Sequence, residues 1–276
     1  MDTTPYAAPY QVRLSPSTRA AKEAAAMLGR PGVWPMMLTT FLLCALLTIA
    51  PFIAADCFYT FLVLAHMSET AQGFLYDALY VPAAVVTVLA VLPVWLGRLR
   101  LCVACFTGED PHPRETFYYL TSPRRWGRAL GILALLAVLL AIPVGLSACL
   151  FILCRSMYDA ILPHMPLFAA AFLYMTAVFF AVALVFVILL LCAPLLPFAA
   201  VAVGNDDLRL YRALGLSLRA GKRNFGALAA FIAKSFLRLL LGLLTVGVLQ
   251  VLWNTHLFLL SYTRLTMALC PKGEPQ

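Results

Sequence analysis

The sequence predicts an all-α membrane protein with about six transmembrane helices, arranged as three degenerate helix-pair repeats with amphipathic cytoplasmic lead-in helices. Three observations carry this. Of the 276 residues, 63% are hydrophobic and 12% charged, where an average soluble domain carries roughly 25% charged residues. Apolar runs as long as a helical span recur along the chain. Basic residues gather in alternate connections between those runs. A soluble fold of this length would leave too much apolar surface in water, and a bilayer removes that difficulty by acting as solvent for the excess.

Residues 1–33 read as a cytoplasmic segment with an amphipathic helix, 34–270 as a single six-helix transmembrane domain, and 271–276 as a cytoplasmic tail. The N-terminal segment is mixed in polarity and does not lead directly from a short charged start into an apolar core, so a cleaved leader is not expected. Within it, Ser15-Pro16 caps and opens a helix carrying Ala20, Ala24, Met27 and Leu28 to a stop at Gly29.

The first span runs from Trp34 to about Ala55, kinked or ended near Pro51. The second runs from about Leu79 through Trp95, with a possible helical continuation into Phe106. The third covers Trp126 to Cys154 and contains Pro143. The fourth starts near Leu167. Apolar character there persists to Val203, too long for one straight span, and Pro194 and Pro197 end it near Ala193. In the next connection, Asn205 or Asp206 is expected to cap a helix ending at Gly221, with Leu210, Leu214 and Leu218 on one face and Arg209, Arg212 and Arg219 elsewhere. That pattern suits a helix lying along the cytoplasmic interface, or equally a helix packed on the protein itself. The fifth span leads up to Trp253, and a shorter sixth runs from about Thr255 to Cys270.

Charge orients the spans. The N-terminal segment holds Arg13, Arg19, Lys22 and Arg30. The second connection holds Arg98, Arg100, Arg114, Arg124, Arg125 and Arg128, and the fourth holds Arg209, Arg212, Arg219, Lys222 and Arg223. The first connection has only Asp56, Glu69 and Asp77, the third has Arg155 and Asp159, and the fifth has no charge. The positive-inside rule then places both termini in the cytoplasm of a plasma-membrane protein. Three basic–aromatic span starts divide the chain into helix pairs: Arg30 before Trp34, Arg124-Arg125 before Trp126, and Lys222-Arg223 before Phe225. A degenerate threefold repeat explains them, and so does the general need for basic and aromatic anchors at headgroup level.

Composition and motif content bear on function. The net charge of +8 is divided among short clusters flanking spans, which suits anionic lipid headgroups and not nucleic acid. Most of the eight cysteines lie in apolar runs, where cysteine acts as a small hydrophobe. Cys102 and Cys105 form a CxxC without a second pair of ligands, which reads as packing. Cys57 and Cys154 both fall near the outer face and would be able to pair in an oxidising environment. His66, His112, His164 and His256 are scattered, and no nucleophile elbow, Walker loop or dinucleotide fingerprint occurs, so neither an enzyme nor a cofactor is expected. The polar run from Gly108 to Glu115 reads as a turn before a short helix.

Two charges stand inside an apolar run. Lys234 and Arg238 are four residues apart, on one helix face. From Lys234 to Trp253 the rise is about 28 Å, close to the hydrocarbon thickness. Lys234 would then mark the cytoplasmic boundary and Trp253 the outer aromatic belt, with Arg238 one turn deeper. Interfacial anchoring, contact with a lipid headgroup or anionic ligand, and a gating or transport role all remain open for the pair.

Several short motifs appear in order: Leu196-Pro197-Phe198, Asn205-Asp206, Ala213-Leu214-Gly215-Leu216-Ser217, Gly221-Lys222 with Phe225, and Leu244-Thr245-Val246-Gly247-Val248-Leu249. Leu92-Pro93 through Gly97, Gly108-Glu109-Asp110, Phe117 and Trp126 follow the same pattern more loosely. Together they resemble the bacterial integral-membrane family catalogued as domain of unknown function 975. The chain departs from it at Asn254-Thr255-His256, where that family often has Pro-Tyr. The resemblance implies a multi-spanning membrane protein without an assigned activity. The expected function is non-catalytic, engaging lipid or a protein partner through the amphipathic cytoplasmic helices; the alternative is a small-solute permease or exporter component.

Overall fold

The computed structural model describes residues 15–63, 69–108, 110–161, 167–244 and 253–270. Among them every regular element is helical. Helix α1 (Pro16–Leu28) starts as its sequence directs: Ser15 accepts from the Thr18 amide, Pro16 occupies the first turn, and Gly29 follows the last residue. Gly32, at φ 83°, turns the chain into α2 (Val33–Val63), which carries Pro51 without ending. Helix α3 (Glu69–Val86) passes through a π-helical turn at Thr87–Val91 into α4 (Leu92–Thr107). The wide turn leaves a carbonyl outside the regular ladder, and the Trp126 indole donates to Leu89 O at 2.8 Å.

Gly108, at φ 81°, ends α4 in the left-handed conformation that glycine adopts without strain. His112 then opens a 3-10 helix (Pro113–Leu120), as the polar run suggested. Helix α5 (Pro123–Ile161) has 39 residues, a rise of about 58 Å. Helix α6 (Leu167–Leu191) stops before Pro194, a 3-10 turn covers Ala193–Leu195, and α7 (Phe198–Gly204) follows Pro197. Then come α8 (Leu210–Arg223), α9 (Phe225–Leu244) and α10 (Thr255–Leu269). Among the described residues, two helical stretches, Val33–Phe61 and Phe74–Thr107, are long and apolar enough to cross a membrane.

Among the described residues, burial is concentrated at one end of the bundle, where the basic residues gather. There Leu99 of α4, Ile132 of α5, Phe198 of α7, Leu228 of α9 and Leu265 of α10 share one apolar cluster. A second joins Ala24 and Leu28 of α1 to Met37, Leu101 and Leu260. The other ends of α2, α5 and α6 carry exposed aromatics, Phe61, Phe151 and Phe172 among them. Two glycines permit the closest approaches. A Cβ on Gly97 would lie 2.0 Å from Thr116 O, and one on Gly221 would lie 2.3 Å from Pro194 O.

Four sequence expectations are corrected. Arg98 and Arg100 belong to α4, not to a connection. Helix α8 is not capped by Asn205 or Asp206: Arg209 precedes it without a side-chain cap, because Asn205 turns back to Val201 O and Asp206 is taken by arginines. Gly221 does not end α8, which continues to Arg223; its missing side chain serves contact with Pro194 instead. Finally, Trp253 does not stand far beyond Lys234. The Asn254 amide donates to Arg238 O at 3.3 Å, so residue 254 stands at the level of Arg238.

Candidate functional site

Three constellations gather polar chemistry, and the first locks the basic end. Arg100 donates from Nε to Glu115 at 2.9 Å and from Nη1 to Asp206 at 2.7 Å. The Tyr118 hydroxyl donates to the same Asp206 oxygen at 2.5 Å. Arg128 approaches the other oxygen at 3.8 Å and donates to the carbonyls of Ala202, Asn205 and Leu208. The Tyr118 ring lies between two guanidinium groups, Arg100 at 3.6 Å and Arg125 at 4.2 Å from its centroid. Burial first, then the hydrogen bond to Asp206, raises the Tyr118 phenol above its ordinary range. Tyr119 is raised too, by burial and then by the Asp206 charge. This network joins α4, the 3-10 helix, α5 and the turn before α8 by contacts distant in sequence, and Asp206 is its hub.

The second constellation is the outer face of α8. Ala213, Ser217 and Gly221 are buried at a spacing of four, and Leu210 and Leu214 pack against the apolar cluster. The leucine face therefore turns toward the protein, in line with the packed alternative. Arg212, Arg219, Lys222 and Arg223 are exposed on the opposite arc of the helix, and Arg209, exposed too, immediately precedes its first turn. Tyr211 stands beside them, and hydrogen bonds from Arg209 and Arg212 lower its phenol below the ordinary range. Helix α1 behaves differently. Ser17, Ala20, Ala24, Met27 and Leu28 are buried, and Glu23 pairs with Arg264 of α10, so α1 is docked into the bundle.

The third lies between α5, α9 and α10. Lys234 is exposed and its Nζ donates to the Thr18 hydroxyl of α1 at 2.7 Å. Arg238, one turn on, lines an open-sided cavity of about 610 Å³. The pair thus has divided roles: one cation fastens α1, and the other faces the cavity. Leu136 and Leu139 of α5, Leu196 after the 3-10 turn, and Phe231 and Phe258 form much of the wall. Below it the Tyr262 hydroxyl donates to Leu196 O at 2.5 Å and accepts from the Ala200 amide at 3.3 Å. It thereby stands between the two groups that would pair as i and i+4 in an unbroken helix. The proline break is held open by a side chain from α10.

Tyr118 and Tyr262 do not stand out in the sequence, nor do the partners of Arg98, Arg100, Asp206 and His256. Arg98 and Arg100 carried a signal, charges inside a helix that continues toward Phe106, but their place among the connection's basic residues masked it. Cys102 and Cys105 are buried, as packing residues are. Cys57 is a free, exposed thiol, and the Cys154 side chain lies outside the description. Among the described residues, no group of three or more His, Cys, Asp or Glu gathers in a metal-binding arrangement. No family model, no curated protein and no solved structure matches the chain.

Proposed function

We propose that the protein is a multi-span, non-catalytic integral membrane protein of the plasma membrane, and that its basic helix α8 engages anionic lipid headgroups from the cytoplasmic side. The observation that carries the reading is the division of α8 into two faces. One is wedged against the bundle through Ala213, Ser217 and Gly221, so the helix is fixed in place. The other presents four exposed cations, with Arg209 as a fifth just before the first turn, and, in the sequence of α8, no acidic residue. A basic residue near an anionic membrane surface contributes about 1 kcal/mol, so a fixed set of five concentrates a substantial attraction on one strip. The lengths of α2, α5 and α6 support the multi-span part of the reading, as do their exposed aromatics. The likeness to the family of domain of unknown function 975 points the same way and adds no chemistry.

The test is lipid selectivity in nanodiscs containing phosphatidylglycerol and phosphatidylcholine. Spin-labelled lipid should report an annulus enriched in phosphatidylglycerol for the wild type. That enrichment should fall sharply when Arg209, Arg212, Arg219, Lys222 and Arg223 are all changed to Gln. An equal annulus in the wild type, or unchanged enrichment in the variant, refutes the role of α8.

A further inference from the structure

We propose that the cavity between α5, α9 and α10 binds the acyl chain of an amphiphile whose oxyanion head is held by Arg238. The inference rests on the cavity's own geometry and is independent of the basic face of α8. A space of about 610 Å³ lies within the usual range of ligand sites, roughly 300–1,000 Å³. Its described wall is mostly hydrocarbon, with leucines from α5 and aromatic rings from α9 and α10 among the lining residues. Hydrocarbon without polar interruption suits a flexible acyl chain and gives a polar solute nothing to replace its water.

The exception to this apolar lining is local. Arg238 is the one charged residue on the wall among the described residues, with Ser235 a turn earlier on α9 and Asn254 at the start of α10 beside it. Among the described residues, no carboxylate lines the cavity and none pairs with Arg238. A guanidinium presents a planar fork of donors that matches a carboxylate or phosphate with two parallel hydrogen bonds. Asn254 ties the beginning of α10 to the Arg238 carbonyl, which fixes this polar corner against the apolar wall. One cationic corner on a hydrocarbon chamber is the complement of one anionic head on a hydrocarbon chain. That chemistry has two sources, a membrane phospholipid contributing one chain and a free fatty acid.

Native mass spectrometry of purified protein separates them. Protein is equilibrated in separate arms with phosphatidylglycerol, phosphatidylcholine, oleate and oleyl alcohol. Retention of an anionic amphiphile over its uncharged-head counterpart by about tenfold is expected, the worth of one charged hydrogen-bonded contact. Preference for phosphatidylglycerol identifies a bilayer lipid, and preference for oleate a free acid. Arg238→Gln should abolish the preference and Arg238→Lys keep part of it. Ala199→Phe, which fills the wall beside Leu196, should reduce retention of all four. The wild type carries its own control: a diazirine on the acyl chain should label Leu136, Leu139, Phe231 or Phe258. Equal retention of charged and uncharged amphiphiles overturns the proposal, and so does label confined to other residues. The fivefold α8 variant, although its lipid annulus changes, should keep the acyl-chain label on the cavity wall, so failure of either reading is seen separately.

Discussion

The Arg98 guanidinium stands 2.8 Å, from Nη2, to Nδ1 of His256, a residue 158 positions away. Arg98 is 1% exposed and no carboxylate among the described residues faces it. Its charge rests instead on two ring faces, Phe41 at 5.0 Å and Trp95 at 5.6 Å. The Trp95 indole is held by Thr48, and Phe41 meets the His256 ring edge-on. Because a guanidinium only donates, His256 accepts at Nδ1 and carries its proton on Nε2. α2, α4 and α10 therefore meet on a buried cation compensated by π-faces and one imidazole.

His256→Leu removes that acceptor and leaves the buried cation with rings alone. A loss of about 3 kcal/mol is expected, from an unpaired buried charge. The double variant Arg98→Met, His256→Leu removes the charge as well and should recover most of the loss, since apolar replacement of a buried polar pair is often neutral. Thermal unfolding in detergent reads both. A double variant less stable than His256→Leu would show that the pair does more than satisfy itself.

Asp206 ties two arginines and a tyrosine, so Asp206→Asn should cost more than Tyr118→Phe, about 3 against about 1 kcal/mol. The phenols add a pH dependence. Their folded pKa values are raised, so the folded state keeps the proton longer than the unfolded state does. Their contribution is complete below the unfolded value of about 10 and is lost as pH climbs through the higher folded values. A tyrosinate absorbance titration of the folded protein, compared with Tyr118→Phe, should show the missing phenol ionising late. Ionisation of that phenol at the ordinary pH would contradict the buried contact with Asp206.

Some of this was legible in the sequence and some was not, for a consistent reason. Ser15-Pro16, Gly29, Pro194 and Pro197 act on their own backbone, so α1 and the break after α6 lie where those residues place them. Gly221 and Asp206 look like local punctuation but act on distant partners, Pro194 and Arg100, that no spacing rule reveals. The same holds for Arg98, whose partner lies near the other end of the chain. The cavity beside Arg238 is a tertiary property too, formed only when α5, α9 and α10 come together.

Helix α8 offers a contrast between two glycines. Gly215→Ala meets nothing within 4 Å and should stabilise the protein by up to about 1 kcal/mol through helix propensity. Gly221→Ala gains the same propensity but drives a Cβ against the Pro194 backbone, and overpacking of about 1–3 kcal/mol should outweigh it. Melting temperatures moving in opposite directions are expected. A stabilised Gly221→Ala would mean that α8 does not sit so tightly on the proline break.

Topology can be read from a single thiol. Cys102 and Cys105 are buried and make poor reporters, whereas Cys57 is exposed. It lies 24 residues beyond Val33, a rise of about 36 Å along α2, past the roughly 30 Å hydrocarbon layer. Its neighbour Asp56 accepts from the Tyr80 hydroxyl at 2.8 Å, a polar contact suited to the far headgroup region. In the multi-span reading with a cytoplasmic N-terminus, a variant keeping only Cys57 should react with an impermeant maleimide on intact cells. A thiol engineered at Arg223 in the cysteine-free background should react only after the cells are opened. Reversal of that pair of outcomes would turn the bundle over and put the basic face of α8 on the outside, where the positive-inside rule gives it no reason to be.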